Sequence, residues 1–391
     1  MKLLLVCDDT IISCEGKYYF PSQERYDFYC RYLRVFEELR LGARVEYQQK
    51  LNQAWIPITC ESRLEYYPLP SFHGPKEYLR QYLATGKIMR HIVDGCDAAV
   101  LRLPSTVAQR AYRQVRKAGI PYAVEVVFDS YDGYKSATKL SLRIIYYIIY
   151  RQLVDACRNA DGVSCVTEHY LQRRYYSTKP NAFTSHYSSL ALDKSFYGAA
   201  RTFPQKKEFV IAHTAKQVMF KGRKGHNELI QAAKLLKDQG IYVQVHFAGN
   251  DYNDGIRQLT EFAESLGVAE QIHFVGFLNR SELSDFLDKS DLYVLPTKAE
   301  GLPRVIIEAM AKGLPCITTP VSGNPELLPE HFLVDYDDVQ TLANRIAELV
   351  TSEQCYEKAS LDNFQQSRKY EASLLQKRRD EFYTELKSRK K

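Results

Sequence analysis

Short runs of β-branched and apolar residues alternate along the chain with segments whose apolar positions recur at helical spacing, the pattern of parallel α/β sheets. In the first half the strand runs fall at 2–7 (KLLLVC), 43–47 (ARVEY), 97–102 (DAAVLR), 122–127 (YAVEVV) and 162–166 (GVSCV). A helical pattern through Tyr32, Leu33, Phe36 and Leu39 stops at Gly42, a residue suited to a left-handed helix end. Residues 192–208 (LDKSFYGAARTFPQKKE) have no clear period, and the alternation begins afresh after them, so they read as an interdomain linker. The second-half runs are 209–213, 243–249, 272–276, 292–296, 316–319 and 332–334 (FVIAH, VQVHFAG, IHFVG, LYVLP, CITT and FLV). Residues 363–391 predict a long polar helix with Tyr370, Leu374, Leu375, Phe382 and Leu386 as its apolar positions. The predicted fold class is therefore α/β, with two doubly wound parallel-sheet domains at 1–198 and 199–362 and a helix at 363–391 packing back on the N-terminal domain. Ligands of such sheets bind at the carboxyl ends of the strands, which puts a cleft between two such edges.

A chain of 391 residues suits two cores, and its composition shows no bias toward disorder or a fibrous repeat. The apolar start MKLLLVCDD is broken within a few residues by Asp8 and Asp9 and reads as a first strand, not a signal peptide. The run IIYYIIY at 144–150 falls far short of the roughly 20 residues that span a bilayer. Nine cysteines without a CxxC pair argue against a disulfide framework or structural zinc and predict a reducing, cytoplasmic setting. The net charge of +6 is uneven: residues 101–200 carry 14 Lys and Arg against 7 Asp and Glu, whereas 201–391 carry 26 against 27. That excess points to an anionic partner in the first half or to a solvated basic face.

The stretch 300–326, EGLPRVIIEAMAKGLPCITTPVSGNPE, carries the most specific chemistry. Pro303 is expected at the first helical position and Gly313 with Pro315 at the helix end. Val305, Ile306, Ala309 and Met310 must then pack inside, leaving Glu308 partly buried at the carboxyl edge of the sheet. A buried carboxylate needs donors. The two hydroxyls of a nucleotide ribose would supply them, or Arg304 four residues earlier, and the residues alone do not separate the two. Glu300 precedes Gly301 and a helix start whose free amides favour an anion. Ser322 and Gly323 lead into what reads as another helix, and two such turns side by side suit a diphosphate. In MFKGRKGHNELI, Lys221, Arg223 and Lys224 crowd the loop after the first strand of the second half, where cations could neutralise a diphosphate leaving group.

The spacing Glu300 to Glu308, followed by EAMAKGLPCI and a PELL turn, resembles the E-x7-E signature of retaining glycosyltransferases of family 4. The similarity extends through KGHNELIQAA, IHFVGFL, LRLPS, PYAVEVV and DGVSCVTEHYLQRRY, nearly the whole chain. It is nearest to the branch that builds bacterial capsular, exopolysaccharide or lipopolysaccharide chains. The resemblance implies the GT-B fold of two facing Rossmann-like domains and a UDP- or GDP-sugar donor. It implies that Glu308 holds the ribose, that Glu300 contacts the donor sugar, and that Gly301 and Leu302 offer backbone N–H groups. Lys224 would bind the diphosphate together with Lys216 or Arg223, and Phe277 and Leu278 would lie against the base. Catalytic weight would rest on Glu300 and Lys224, with Ser322 and Gly323 on the donor.

Three places depart from the family pattern. The first loop has Gly16 instead of a Gly-Gly pair, Phe128 and Asp129 stand where a His is frequent, and Ser322-Gly323 replaces Gly-Gly before the PELL turn. Candidate acceptor-side residues are Gly16, Arg102 and Asp129. The acidic clusters at 8–9, 251–254 and 335–338 read as strand ends and turns, so no metal or other cofactor is expected. KLSLRIIYYIIYRQLVDACR and LQRRYYSTK mix basic, Tyr and aliphatic residues as a lipid headgroup interface does. Residues 140–155 also fit a buried helix with a charged rim. The expected function is transfer of a sugar from a nucleoside-diphosphate sugar to an acceptor, a polyprenyl-linked glycan, at the inner face of the membrane. No nucleic-acid module is present. A nucleotide-sugar epimerase of the same fold and a non-catalytic subunit are the alternatives.

Overall fold

A computed structural model describes residues 1–59, 63–72, 77, 80–136, 140–190 and 192–390. The chain divides into two compact units, Met1–Tyr187 with Gln376–Lys391, and Ser188–Leu375.

Among the described residues the first unit is built on nine strands: β1 (Lys2–Cys14), β2 (Lys17–Phe20), β3 (Glu38–Tyr47), β4 (Ile56–Pro57), β5 (Leu64–Leu69), β6 (Ala98–Leu103), β7 (Tyr122–Val126), β8 (Gly162–Cys165) and β9 (Phe183–His186). Its parallel part runs β5-β3-β1-β6-β7-β8-β9. β1 continues beyond it into an antiparallel hairpin with β2, which pairs in turn with β4. The stretch read as a first loop is thus mostly strand, and Glu15 and Gly16, both at positive φ (51° and 75°), form its two-residue turn. Such turns favour glycine because a Cβ is strained at that φ.

The helix predicted to reach Gly42 stops earlier. An α-helix (Gln23–Cys30) passes into a 3-10 turn at Arg31–Arg34, and Leu39 already belongs to β3. There Leu39 and Leu41 alternate with Glu38 and Arg40 at the period of a strand, and Gly42 pairs with Val6 of β1. The FLV run is likewise not a strand: Leu333 makes a single bridge to Thr318 after a 3-10 turn.

The second unit has a five-stranded parallel sheet: β10 (Phe209–Val218), β11 (Val243–Asp251), β12 (Ile272–Gly276), β13 (Leu292–Leu295) and β14 (Cys316–Thr318), in the order β12-β11-β10-β13-β14. The order reverses direction after β10, so the carboxyl ends of β10 and β13 flank the place where doubly wound sheets take ligands. The segment read as a linker is docked on this unit. Phe196 is buried, Gly198 N–H donates to the Ala311 carbonyl (2.9 Å), and Arg201 donates to the Lys312 and Leu287 carbonyls (2.9 and 3.0 Å).

The predicted terminal helix is two helices, Glu353–Ser367 and Ala372–Ser388, separated by a 3-10 turn at Arg368–Tyr370. From Gln376 onward the second belongs to the first unit, where Phe382, Tyr383 and Leu386 are buried.

Candidate active site

β10 ends at Val218 and the chain turns through residues 219–225 before the helix His226–Asp238. That loop is tied down at several points. The Lys221 amide donates to Asn227 Oδ1 (2.6 Å), the Tyr336 hydroxyl to the Gly222 carbonyl (3.1 Å), and the Lys298 amide to the Arg223 carbonyl (2.9 Å). Gly225 has φ 76°, and a Cβ on it would lie 1.9 Å from the Pro296 carbonyl oxygen, so only glycine lets the loop meet the exit of β13 this closely. The outcome is an ion pair between Lys224 Nζ and Glu300 Oε1, with the Glu300 side chain 12% exposed and that of Lys224 35%.

Beyond β13 the turn carrying Glu300 leads into the helix Arg304–Ala311, with Pro303 as its N-cap one residue earlier than expected. Gly301 and Leu302 are buried. The Gly301 carbonyl accepts the Gly323 amide and the Ser322 hydroxyl, both at 3.0 Å, which hangs the loop after β14 on the Glu300 turn. Ser322 and Gly323 are therefore brought beside the acid as the sequence suggests. The helix expected after them is a three-residue 3-10 turn, Asn324–Glu326, because Asn324 donates its side chain back to Thr318 Oγ1 and the Thr319 carbonyl (both 3.0 Å). The proposed second helix N-terminus is absent. Glu308 lies in the middle of its helix and is half-buried, with Arg304 exposed one turn before it. Lys216 at the end of β10, Arg223, and Phe277 after β12 are exposed, and Leu278 is half-buried.

A buried histidine pair behind Lys224 escaped the sequence reading. His213 Nδ1 donates to the Val294 carbonyl (2.9 Å), and its ring stands 4.7 Å from that of His226. Among the described residues neither ring nitrogen of His226 has a hydrogen-bond partner. Burial, and secondarily the Lys224 charge, hold His226 down to about 4. Between its unfolded value of about 6.5 and 4, the unfolded chain binds the extra proton, so stability is complete above that window and falls as the pH drops through it. We expect His226→Phe to lose part of this acid sensitivity, measured as a smaller fall in urea midpoint between pH 7 and pH 4.5. An unchanged fall would contradict it. The sequence signal was the HN following Lys224-Gly225, to which no role was assigned.

In the first unit, Gly16 serves the β1–β2 hairpin. Arg102 pairs with Glu125, and the fully buried Asp129 accepts from Arg174, from the Tyr175 hydroxyl (2.6 Å) and from the Tyr131 amide (2.9 Å). The structure thus gives both charged acceptor-side candidates a partner within the fold. In LQRRYYSTK, Arg174 and Tyr175 are likewise committed to Asp129, which leaves Arg173, Tyr176 and Lys179 exposed.

The reading of 140–155 as a buried helix is corrected. In the helix Leu140–Arg158 the buried residues are Leu153, Val154, Ala156 and Cys157, whereas Leu140, Ile144, Tyr147 and Ile148 are exposed. Lys139 lies outside the described residues. No described helix is long and apolar enough to cross a membrane.

The acidic clusters have structural partners. Asp9 pairs with Arg25 (3.1 Å), Asp254 with Arg257 (2.6 Å), and Asp338 caps the helix Val339–Thr351. Among the described residues no three His, Cys, Asp or Glu side chains gather as a metal ion would require.

Residues 203–366 match the family of glycosyl transferases, group 1. Protein CapJ of Staphylococcus aureus is 24% identical over 370 residues, 93% of this chain and 90% of that one. The UDP-Gal:alpha-D-GlcNAc-diphosphoundecaprenol alpha-1,3-galactosyltransferase of Escherichia coli is 24% identical over 257 residues, 59% of this chain and 60% of its own. Among solved structures, sucrose-phosphate synthase from Thermosynechococcus elongatus superposes with a TM-score of 0.76 at 16% identity, covering 99% of both chains. HepE from Anabaena in complex with UDP and glucose superposes at 0.68 and 17% identity, covering 97% of this chain and 98% of that one. The group 1 glycosyl transferase match thus falls on the second unit, which holds the Lys224–Glu300 pair, and the chain has the GT-B fold of these solved structures.

Proposed function

We propose that the protein is a retaining, metal-independent transferase that moves a hexosyl group from a nucleoside-diphosphate sugar to a hydroxyl of a lipid-linked saccharide, in the assembly of a bacterial surface polysaccharide. The Lys224–Glu300 ion pair at the carboxyl edge of the second sheet carries this reading. Each charge neutralises the other, with the Glu300 side chain largely enclosed and that of Lys224 about a third exposed. A diphosphate entering the loop would take Lys224 as its counter-ion and release Glu300 to accept hydrogen bonds from the sugar. The bond from anomeric carbon to phosphate oxygen then breaks with its electron pair going to the diphosphate, whose growing charge Lys224 stabilises. The acceptor oxygen attacks from the same face, and its proton passes to the departing phosphate oxygen. Glu308 would hold the ribose, and the exposed ring of Phe277, with Leu278, would lie against the base. Lys216 and Arg223 are the further cations for the diphosphate.

The HepE complex supports a UDP donor, and the E. coli relative supports an acceptor linked to a polyprenyl diphosphate. The exposed half of the helix Leu140–Arg158 suits a lipid surface. Leu140 is 72% exposed, Ile144 54% and Ile148 49%, with Arg143 beside them and its guanidinium over Tyr134 (5.3 Å). Apolar side chains and rings flanked by arginines match an anionic bilayer interface. We expect the protein to co-sediment with anionic liposomes at low salt and the variant Ile144→Ser/Ile148→Ser to lose most of that binding. Equal sedimentation of the two would remove the helix from the interface.

Transfer itself is tested by nucleotide release from a panel of UDP- and GDP-sugars, with and without a prenyl-diphosphate-linked saccharide. Acceptor-dependent release with an unchanged anomeric configuration in the product supports the proposal. Conversion of the sugar nucleotide without acceptor would assign an epimerase instead, and no turnover of any donor would favour a non-catalytic subunit.

A further inference from the structure

We infer that Arg31 and Arg102 of the first unit form a binding site for a phosphoryl oxyanion, set against the ring of Phe28. Glu125 on β7 is 2% exposed. Its Oε1 accepts the hydroxyls of Tyr187 (3.0 Å) and Tyr383 (2.5 Å), and its Oε2 accepts the Tyr32 hydroxyl (2.9 Å) and Arg102. A carboxylate offers about four acceptor positions, and here all are taken.

Arg31 shares this interior. It is 9% exposed, with its guanidinium 3.7 Å from the centre of the Phe28 ring and 5.3 Å from that of Tyr32. Among the described residues its Nε has no hydrogen-bond partner, and it shares the field of Glu125 with Arg102. Arg102 lies over the same Phe28 ring at 4.7 Å, is bonded to Glu125 through one of its nitrogens, and keeps a narrow opening with 14% of its side chain exposed. Arginine does not release its proton in proteins, so the excess positive charge persists. One buried carboxylate thus serves both Arg31 and Arg102, a shortfall of negative charge that is costly, and two planar forks over one ring suit the oxygens of a phosphate.

The source of that phosphate rests on the proposed lipid-linked acceptor, whose diphosphate would be the group held. A free phosphate or pyrophosphate has the same chemistry. The test uses the full chain saturated with UDP, so that the nucleotide site is filled, and titrates inorganic pyrophosphate by calorimetry. Arg31→Met, which keeps the apolar stem and removes the guanidinium charge, is expected to fold and to bind pyrophosphate at least ten-fold more weakly. Absence of a pyrophosphate site in the UDP-saturated protein, or equal affinity in Arg31→Met, overturns the inference.

A water-soluble prenyl-diphosphate-linked monosaccharide then identifies the source. Competition with pyrophosphate for the Arg31-dependent site assigns it to the acceptor, and failure to compete overturns that assignment in favour of a free anion. If UDP does not bind, the donor reading fails on its own. The comparison of the chain with Arg31→Met is then repeated without nucleotide and still reads the oxyanion site.

Discussion

Lys224→Ala is expected to lower kcat for sugar transfer on the order of 10²- to 10³-fold, with a much smaller rise in KM for the donor. The size follows from the worth of one preorganised charge at a developing anion in a sheltered site. The split follows from when that charge matters, because the diphosphate gains negative charge only as the glycosidic bond breaks. Lys224 is held for this task by the loop around it, fixed to Tyr336, Asn227, the Lys298 amide and the Thr297 hydroxyl and closed by Gly225 against Pro296. Removal also leaves Glu300 without its partner in a place where its side chain is 12% exposed. A variant with normal kcat would put the leaving-group charge elsewhere, on Arg223 or Lys216.

The second large effect concerns stability. Glu125→Ala is expected to destabilise the first unit by about 3–5 kcal/mol, the cost of stranding buried charge after its partner is removed. Burial alone would raise the Glu125 carboxyl, but Arg102 and Arg31, with the hydroxyls of Tyr383 and Tyr32, more than offset it and bring it down to about 2. The stabilisation from its ionised form is therefore fully present above the unfolded value of about 4.3 and is lost as the pH falls through about 2. Tyr383 comes from the C-terminal helix, so this contact fastens the end of the chain into the first unit. Urea unfolding should show an earlier transition for the first unit, while the second, with its own core, keeps its midpoint. An unshifted transition would mean that the cluster contributes little.

The alternation of strands and helices was legible because the parallel part of each sheet is buried on both faces, so its strands read as continuous apolar runs. β9 was not, since its four residues FTSH are half-buried or exposed and carry no such run. The early helix was overextended because Phe36 and Leu39 happen to continue a helical spacing into residues that a neighbouring strand claims. At the site, Lys224, Glu300, Gly301, Ser322 and Gly323 were legible from their positions after strands, and the structure joins them through one ion pair and one carbonyl. The ties that shape the loop were not legible, because Tyr336 and Thr297 come from other turns and reach it only through the fold. Arg102 was read as an acceptor-side candidate. Its pairing with Glu125 on the neighbouring strand could not be seen in a single sequence.

The most direct test of the donor site is calorimetric titration of the protein with UDP, GDP and ADP, with Glu308→Ala alongside. Binding of one nucleotide, weakened at least ten-fold in Glu308→Ala, is the result expected if that carboxylate holds the ribose at the carboxyl edge of the second sheet. Binding that is the same in the variant, or no binding of any of the three, would contradict it.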